Sequence, residues 1–285
     1  MNNKDYKKRI IDETLKKYLE TFGALLIEGP KWCGKTWTGS NASNSVFLLA
    51  DPKNNFNNKQ IALLNPDIVL NGDNPRLIDE WQEVPSLWDA VRGRVDESAK
   101  KGQFILTGSS AVDKSKYIHS GTGRIAHLKM RTMSLYESGF SDGVISLKDI
   151  CYGTAIDCLT QNASLDKLID CVLIGGWPST IGMSVDQSII VAKEYIKSVL
   201  NEDIYKVDNV KRDKHKVELL LKSLARNEAT TVTNKTLKND IKEKDYDDVD
   251  ANTITNYLNL LNDLYLVENI PPYSSRIRSS LRVKQ

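Results

Sequence analysis

The chain has 285 residues, of which 40% are apolar and 27% charged, and its formal net charge is +2. This composition indicates an ordinary globular protein of about two domains and gives no global electrostatic reason to bind nucleic acid. The four cysteines match no zinc-binding spacing and predict reduced thiols in a cytoplasmic protein. With no secretory signal core and no apolar run of about 20 residues, we expect neither secretion nor a membrane span.

The first 132 residues are predicted to contain an amphipathic helix followed by five apolar strands with helical stretches between them. The helix carries one apolar stripe, formed by Ile10, Ile11, Leu15, Tyr18, Leu19 and Phe22. The strands are expected at Leu25–Glu28, Val46–Ala50, Leu77–Asp79, Phe104–Thr107 and Ile125–Met130. Because strands alternate with helical stretches such as Ser86–Lys101, the fold class is α/β, with a parallel sheet flanked by helices.

A phosphate-binding loop follows the first predicted strand. Its glycines, Lys35 and Thr36 have the spacing G-x-x-x-x-G-K-[ST], the Walker A pattern, so a nucleoside triphosphate is the expected ligand. Lys35 would reach the β- and γ-phosphates and Thr36 would bind Mg²⁺. The predicted nucleotide-contacting residues are Gly29, Pro30, Lys31, Trp32, Cys33, Gly34, Lys35, Thr36 and Trp37.

Cys33 lies inside this loop, where two interpretations are open. A helix N-terminus lowers a thiol pKa, which would favour modification of Cys33 near the nucleotide. An incidental cysteine that only presents its backbone N–H is the preferred interpretation.

Two acidic residues end the third predicted strand, in the sequence Leu77-Ile-Asp-Glu80. Hydrolysis of a nucleotide needs a carboxylate to hold the metal and a group to orient water. Asp79 would hold Mg²⁺ through water, and Glu80 would polarise the attacking water, as in a Walker B motif. The alternative is a turn with two solvated acids.

Polar residues that end the fourth strand are candidate sensors of the γ-phosphate. Thr107, Ser109 and Ser110 all qualify, with Ser109 taken as the catalytic candidate, and an ordinary Ser/Gly turn is the alternative. Arg124, which ends a Gly-rich turn before the fifth strand, would act in trans as an arginine finger, a role that requires a homo-oligomer. Its alternative is a solvated surface arginine.

ATP is expected rather than GTP, because no Asn-Lys-x-Asp segment is present. Asn234-Lys-Thr-Leu and Asn58-Lys-Gln-Ile both lack the aspartate that guanine recognition would need.

The remaining chain is patterned as helices. Helices are predicted at Leu165–Ile174, Ile189–Tyr205 and Val217–Ala225, then from Thr233 to Ile241 and after Asp250. Residues 133–210 are interpreted as a helical lid and residues 211–285 as a winged-helix-like domain, with residues 1–132 as the nucleotide-binding core. Residues 266–272 would form the wing.

Both DNA and protein remain open as partners of the winged-helix segment. The candidate reading helix, Asn252–Asp263, offers asparagines and threonines but no lysine or arginine. Lys235, Lys238 and the Arg276–Lys284 tail would have to supply phosphate contacts, and the acidic run Asp245–Asp250 opposes them.

Six segments together resemble a known family. They are Ile27–Thr36, Arg76–Gln82, Ser120–Ile125, Met130–Gly139, Gly175-Gly-Trp-Pro178 and Leu224-Ala-Arg-Asn227. The chain resembles AAA+ ATPases, and in particular the prokaryotic AAA-type ATPases that carry a C-terminal domain of unknown function. The resemblance implies ATP binding, hydrolysis and a winged-helix-like segment after the lid. Such proteins usually continue past the position of Gln285, so a C-terminally shortened form is expected.

Overall fold

The computed structural model describes residues 6–53, 57–108, 119–154, 158, 163–206 and 212–270. The chain divides into two compact units, Met1–Lys193 and Glu194–Gln285. Among the described residues, no helix has the length and apolar character needed to cross a bilayer.

In the described part of the first unit, five parallel strands form one sheet. They are β1 (Ala24–Glu28), β2 (Ser45–Leu48), β3 (Arg76–Asp79), β4 (Phe104–Gly108) and β5 (Ile125–Lys129), in the order β2-β3-β4-β1-β5. The register pairs Glu28 with both Gly108 and Lys129, and Leu48 with Asp79. The carboxyl ends of the strands therefore lie along one edge, and the prediction of a parallel α/β sheet is confirmed.

Helices cover both faces of this sheet. The first unit contains α1 (Ile11–Thr21), α2 (Lys35–Asn41), α3 (Asn57–Leu64), α4 (Pro66–Leu70), a 3₁₀ turn (Trp81–Glu83), α5 (Leu87–Ser98), α6 (Leu147–Cys151), α7 (Leu165–Ile174), a second 3₁₀ turn (Pro178–Thr180) and α8 (Val185–Ser198), which ends beyond the unit. Successive side chains of β1 point to opposite faces of the sheet and pack in two different hydrophobic clusters. Leu25 packs in a cluster with Leu15 of α1, whereas Leu26 packs with Trp88 of α5.

The helix predicted at Leu165–Ile174 is confirmed as α7 with the same bounds, although none of its residues is buried. The helix predicted to begin at Ile189 begins at Val185 instead. Ser184 and Gln187 form a reciprocal capping box there, since each side chain accepts a hydrogen bond from the other residue's backbone N–H. The chain continues as a π-helical turn (Val199–Asp203) and α9 (Ile204–Lys206).

Three helices pack together in the second unit: α10 (Lys214–Arg226), α11 (Asn234–Lys244) and α12 (Ala251–Asp263). Asp213, Thr233 and Asp250 cap them, each accepting a hydrogen bond from a backbone N–H of the first turn. Leu220, Ile241 and Ile254 are fully buried among them. No strand occurs in the described residues 264–270, and the rest of the predicted wing lies outside the described residues.

Candidate functional site

The loop between β1 and α2 depends on both of its glycines. A Cβ on Gly29 would collide with the carbonyl oxygen of Met130, so only glycine allows this close approach. Gly34 has φ 101°, a left-handed conformation, directly before α2 begins at Lys35. Trp32 also has a positive φ of 66°, which is uncommon for a residue with a side chain. The Walker A spacing therefore corresponds to a tight loop at the carboxyl edge of the sheet.

The Lys35 side chain folds back into this loop. It is 5% exposed, and its Nζ donates hydrogen bonds to the carbonyl oxygens of Gly29 at 2.9 Å and Pro30 at 2.8 Å. Burial lowers the pKa of the Lys35 ammonium, and the negative charges of Glu80 and Asp79 oppose that shift. The Lys35 ammonium and the two predicted Walker B carboxylates thus share one electrostatic environment.

Thr107 joins the two acidic residues to the neighbouring strand. Its hydroxyl, which is fully buried at the end of β4, donates to Asp79 Oδ1 at 2.6 Å and accepts the backbone N–H of Glu80 at 3.0 Å. Because β4 lies between β1 and β3, this bridge sits between the phosphate-binding loop and the acidic pair. The hydroxyl proton of Thr107 is directed at Asp79, so this residue orients the acidic pair.

Glu80 has a constrained geometry. Its backbone is left-handed, with φ 55° and ψ 50°, and the chain turns there into the 3₁₀ turn that begins at Trp81. The Glu80 carboxylate accepts a hydrogen bond from Nε2 of Gln82. Non-glycine residues in this conformation are strained and occur preferentially at functional sites.

The other predicted residues of the loop differ in exposure. Thr36 is half-buried at the start of α2, whereas Trp32 and Trp37 are exposed. The ring of Trp32 makes an edge contact with Trp177, with centroids 6.5 Å apart. Trp177 belongs to the Gly175–Pro178 segment, so that segment lies beside the loop.

Cys33 is fully buried beneath the loop, with Sγ 3.9 Å from the carbonyl oxygen of Met130. Burial raises the pKa of this thiol, and the positive charges of Lys35 and Arg9 oppose that shift without reversing it. Backbone N–H groups at the start of α2 also lower the thiol pKa, but desolvation is the larger effect and the net shift is upward. The interpretation of Cys33 as an incidental residue is the one that fits.

One predicted catalytic residue, Arg124, does not join this cluster, and another, Ser109, lies outside the described residues. Arg124 precedes β5, and its carbonyl oxygen accepts the backbone N–H of Ala24 at the start of β1. It therefore lies at the amino edge of the sheet, about 13 Å of strand away from the loop. Its guanidinium donates to Asp96 at 2.7 Å.

A buried ion pair next to the loop has no counterpart in the sequence prediction. Arg9 donates to the carbonyl oxygens of Cys33 at 2.7 Å and Arg131 at 2.9 Å, and to Oε1 of Glu137 at 3.0 Å. The two charged side chains are only 5% and 6% exposed. Arg9 thus ties the phosphate-binding loop to the chain that leaves β5.

The donor set of this site suits a magnesium–nucleotide complex. The described residues contain no cluster of three or more His, Cys, Asp or Glu residues that would hold a metal alone. Mg²⁺ is commonly held by one or two protein oxygens together with phosphate oxygens and water. The hydroxyl of Thr36 and the carboxylate of Asp79 are oxygen ligands of that kind.

Comparisons with known proteins agree with this fold. Residues 21–139 match the model of the AAA domain, and residues 165–285 match that of a domain of unknown function (DUF8612). The Walker-type ATPase PABY2304 of Pyrococcus abyssi has a similar structure, with a TM-score of 0.51 and 14% identity, over 91% of this chain and 90% of that one. No curated protein matches the chain. The sheet, the phosphate-binding loop and the domain match support a P-loop ATPase fold of the AAA type for residues 21–139, which a match to a domain of unknown function follows.

Proposed function

We propose that this chain binds ATP with Mg²⁺ at the Gly29–Thr36 loop and hydrolyses it. The observation that carries the proposal is the convergence of Lys35, Asp79 and Glu80 at one edge of the sheet. A buried ammonium whose pKa responds to two nearby carboxylates is the charge arrangement that a phosphate-transfer site requires.

Each residue has a distinct part in this mechanism. The backbone N–H groups from Lys31 to Thr36 surround the phosphates; Pro30 has no N–H and contributes only its shape and carbonyl. Lys35 exchanges its two carbonyl partners for phosphate oxygens. Glu80 accepts a hydrogen bond from the attacking water, whose oxygen bonds to the γ-phosphorus as the bond to the β–γ bridging oxygen breaks.

Thr36 and Asp79 would hold Mg²⁺, Thr36 directly and Asp79 through water. When bound, the ion neutralises charge on the phosphate oxygens. The bridge from Thr107 keeps the carboxylate of Asp79 in a fixed orientation for this task.

Magnesium-dependent ATP hydrolysis and equilibrium ATP binding by the wild type, Lys35→Ala and Glu80→Gln test the proposal. We expect Lys35→Ala to lose ATP binding, because it removes the only buried ammonium of the described site. We expect Glu80→Gln to bind ATP and to lose at least about 100-fold in turnover. If Glu80→Gln turns over at the wild-type rate, Glu80 does not orient the water. A chain that binds ATP tightly through Lys35 without turnover would instead be a nucleotide-gated adaptor.

We further propose that hydrolysis is coupled to movement of a helical lid, residues 133–210, and of the winged-helix-like domain, residues 211–285. Arg124 then acts on the nucleotide of a neighbouring copy in a homo-oligomer. Its position at the amino edge of the sheet, away from the loop of its own chain, supports action in trans rather than in cis. Ser109 remains the proposed sensor of the γ-phosphate.

A cytoplasmic protein is the proposed partner of the winged-helix-like domain, in preference to DNA. The exposed side chains of α12 include Asn252, Asn256 and Asn259 but no cation. On the neighbouring helices Arg226 pairs with Asp240 and Asp245, and Lys238 pairs with Asp248. Cations that are already paired with acids are poorly placed to release counterions from DNA. Stimulation of ATP hydrolysis by duplex DNA, with a steep salt dependence, would favour the DNA-associated alternative.

A further inference from the structure

Gln82 lies two residues after Glu80, in the 3₁₀ turn that follows β3. Its Nε2 donates a hydrogen bond to Oε2 of Glu80. We propose that Gln82 is a positioning residue for ATP hydrolysis, which holds the Glu80 carboxylate in the orientation from which it acts on water. This inference rests on the proposed function, because it assigns a role to Gln82 only through Glu80.

The orientation of the Gln82 amide is set by the carboxylate. Rotating the amide by 180° would turn its oxygen toward the Glu80 oxygens, placing two acceptors against each other. In the observed orientation, Gln82 Oε1 is buried and has no hydrogen-bond partner among the described residues. Leaving a buried acceptor without a partner is unfavourable, so the hydrogen bond to Glu80 is the interaction that this side chain is arranged to make.

The space for this amide depends on the end of β4. A Cβ on Gly108 would lie 3.2 Å from Gln82 Oε1, closer than ordinary packing allows. The same strand end supplies Thr107, whose hydroxyl accepts the backbone N–H of Glu80. Strand β4 thus fixes the Glu80 backbone through the Thr107 hydroxyl, and its last residue, Gly108, packs against the Gln82 amide.

Both ends of Glu80 are therefore held. Thr107 holds the backbone, whose left-handed conformation aims the side chain, and Gln82 holds the carboxylate. Glu80 directly follows β3 at the same edge of the sheet as the phosphate-binding loop, and its negative charge opposes the lowering of the pKa of Lys35 by burial. Without the hydrogen bond from Gln82, the glutamate side chain would sample several rotamers, and fixing one of them during catalysis would cost conformational entropy. Gln82 fixes the rotamer of Glu80 before the nucleotide binds.

Turnover of Gln82→Met tests this role. Methionine keeps the length of the side chain and removes the donor. We expect kcat to fall at least about tenfold while ATP affinity stays within about twofold of the wild type, because misorienting a catalytic group slows chemistry without removing phosphate contacts. The matched control is Glu83→Gln, which alters the next residue of the same turn and breaks only an exposed pair with Lys59. It should change neither quantity.

The same substitution in a Glu80→Gln background separates positioning from a general structural effect. If Gln82 acts through Glu80, Gln82→Met should lower the residual turnover of Glu80→Gln no further. An equal fold-loss in both backgrounds, or undiminished kcat in Gln82→Met alone, would overturn the proposal.

A second measurement needs no turnover and distinguishes the two proposals from each other. Urea unfolding of nucleotide-free wild type, Glu80→Ala, Gln82→Met and the double variant forms a double-mutant cycle. We expect the double variant to shift the transition midpoint by less than the sum of the single shifts, because both singles break one contact. Additive shifts would overturn the Gln82 proposal, whatever the turnover. If the shifts are less than additive but the chain does not hydrolyse ATP, the proposed hydrolysis is wrong and the Gln82–Glu80 contact is still supported.

Discussion

The hydroxyl of Thr107 forms hydrogen bonds with both acidic residues. Replacing it by Thr107→Val keeps the shape of the side chain but leaves the Glu80 N–H without its acceptor in a buried site. We expect the free energy of unfolding to fall by about 1–3 kcal/mol and turnover to fall with it. Urea unfolding and steady-state hydrolysis measure the two effects.

Thr107→Ser is the control for that substitution, because serine retains the hydroxyl and removes only a methyl group. Its turnover should stay near that of the wild type. If Thr107→Val and Thr107→Ser have the same turnover, the hydrogen bonds of Thr107 to Asp79 and Glu80 do not contribute to hydrolysis.

The exposed cysteines should react with thiol reagents faster than the buried one. Cys33 is fully buried, and burial raises the pKa of its thiol, whereas Cys151 and Cys158 are exposed. Since the thiolate is the reactive form, iodoacetamide at neutral pH should label Cys151 and Cys158 first. Peptide mass spectrometry would detect the order. Early labelling of Cys33 in the folded protein would contradict the burial of its side chain.

Some site residues could be predicted from a local sequence motif, whereas others depend on contacts between residues far apart in the sequence. Gly29, Gly34 and Lys35 follow from a local spacing, because a phosphate-binding loop is built from consecutive residues. Arg9 gave no such signal, since it ends a Lys-Lys-Arg run that is typical of a solvated terminus. Its partner Glu137 lies 128 residues away, so only the folded chain brings them together.

At the scale of elements, the Arg9–Glu137 ion pair connects three parts of the fold. These are the start of α1, the phosphate-binding loop and the segment after β5. Glu137 also accepts the backbone N–H groups of Ile10 and Ser134, at 2.7 and 2.8 Å. Breaking a buried pair leaves the remaining charge uncompensated, so Glu137→Gln should lower the free energy of unfolding by about 3 kcal/mol at pH 7. Urea unfolding measures the loss. The exposed pair of Lys59 and Glu83 is the control, and Glu83→Gln should cost about 0–1 kcal/mol.

The same pair should make stability depend on pH in the acid range. Burial raises the pKa of Glu137, but hydrogen bonds from Ser134, Ile10 and Arg9 outweigh it and leave the pKa below its ordinary value. A folded pKa below the unfolded one stabilises the protein at pH values above the unfolded pKa. That stability is lost as the pH falls through the folded pKa. The difference between the wild type and Glu137→Gln should be constant above about pH 5 and shrink below about pH 4. A difference that grows on acidification would contradict this assignment.

Element boundaries were predictable wherever a local signal ends the element. Strand β3 ends at Asp79, as predicted, β4 ends at Gly108, one residue after the predicted Thr107, and α12 begins after the Asp250 cap. The start of α8 was placed late because the apolar period begins at Ile189, whereas the Ser184–Gln187 capping box lies one turn earlier. Caps therefore locate a helix start better than its apolar stripe does.

At the scale of the whole molecule, the proposed role of Arg124 predicts complementation between inactive chains. Lys35→Ala lacks nucleotide binding but keeps Arg124, and Arg124→Ala has the reverse defect. If Arg124 acts in trans within a closed ring, mixing equal amounts should restore turnover at about a quarter of the sites. Each variant alone should be inactive. A mixture as inactive as its components, or a monomer with full turnover, would exclude the role in trans.

The strand order could not be derived from the sequence, although the parallel fold class could. Periodicity marks each strand, but the insertion of β4 between β1 and β3 depends on how the connecting helices cover the two faces. That insertion places Thr107 between the phosphate-binding loop and the acidic pair. The strand end that was expected to sense phosphate therefore contributes a bridge as well.

The edge contact of Trp32 with Trp177 gives the protein an intrinsic optical reporter. One indole lies in the phosphate-binding loop and the other in the neighbouring Gly175–Pro178 segment, so their emission depends on the spacing of these two elements. ATP entering the loop should change tryptophan fluorescence in the wild type and much less in Trp177→Phe. Binding can then be followed in stopped flow without a labelled nucleotide, and the rate of loop rearrangement can be separated from that of bond cleavage.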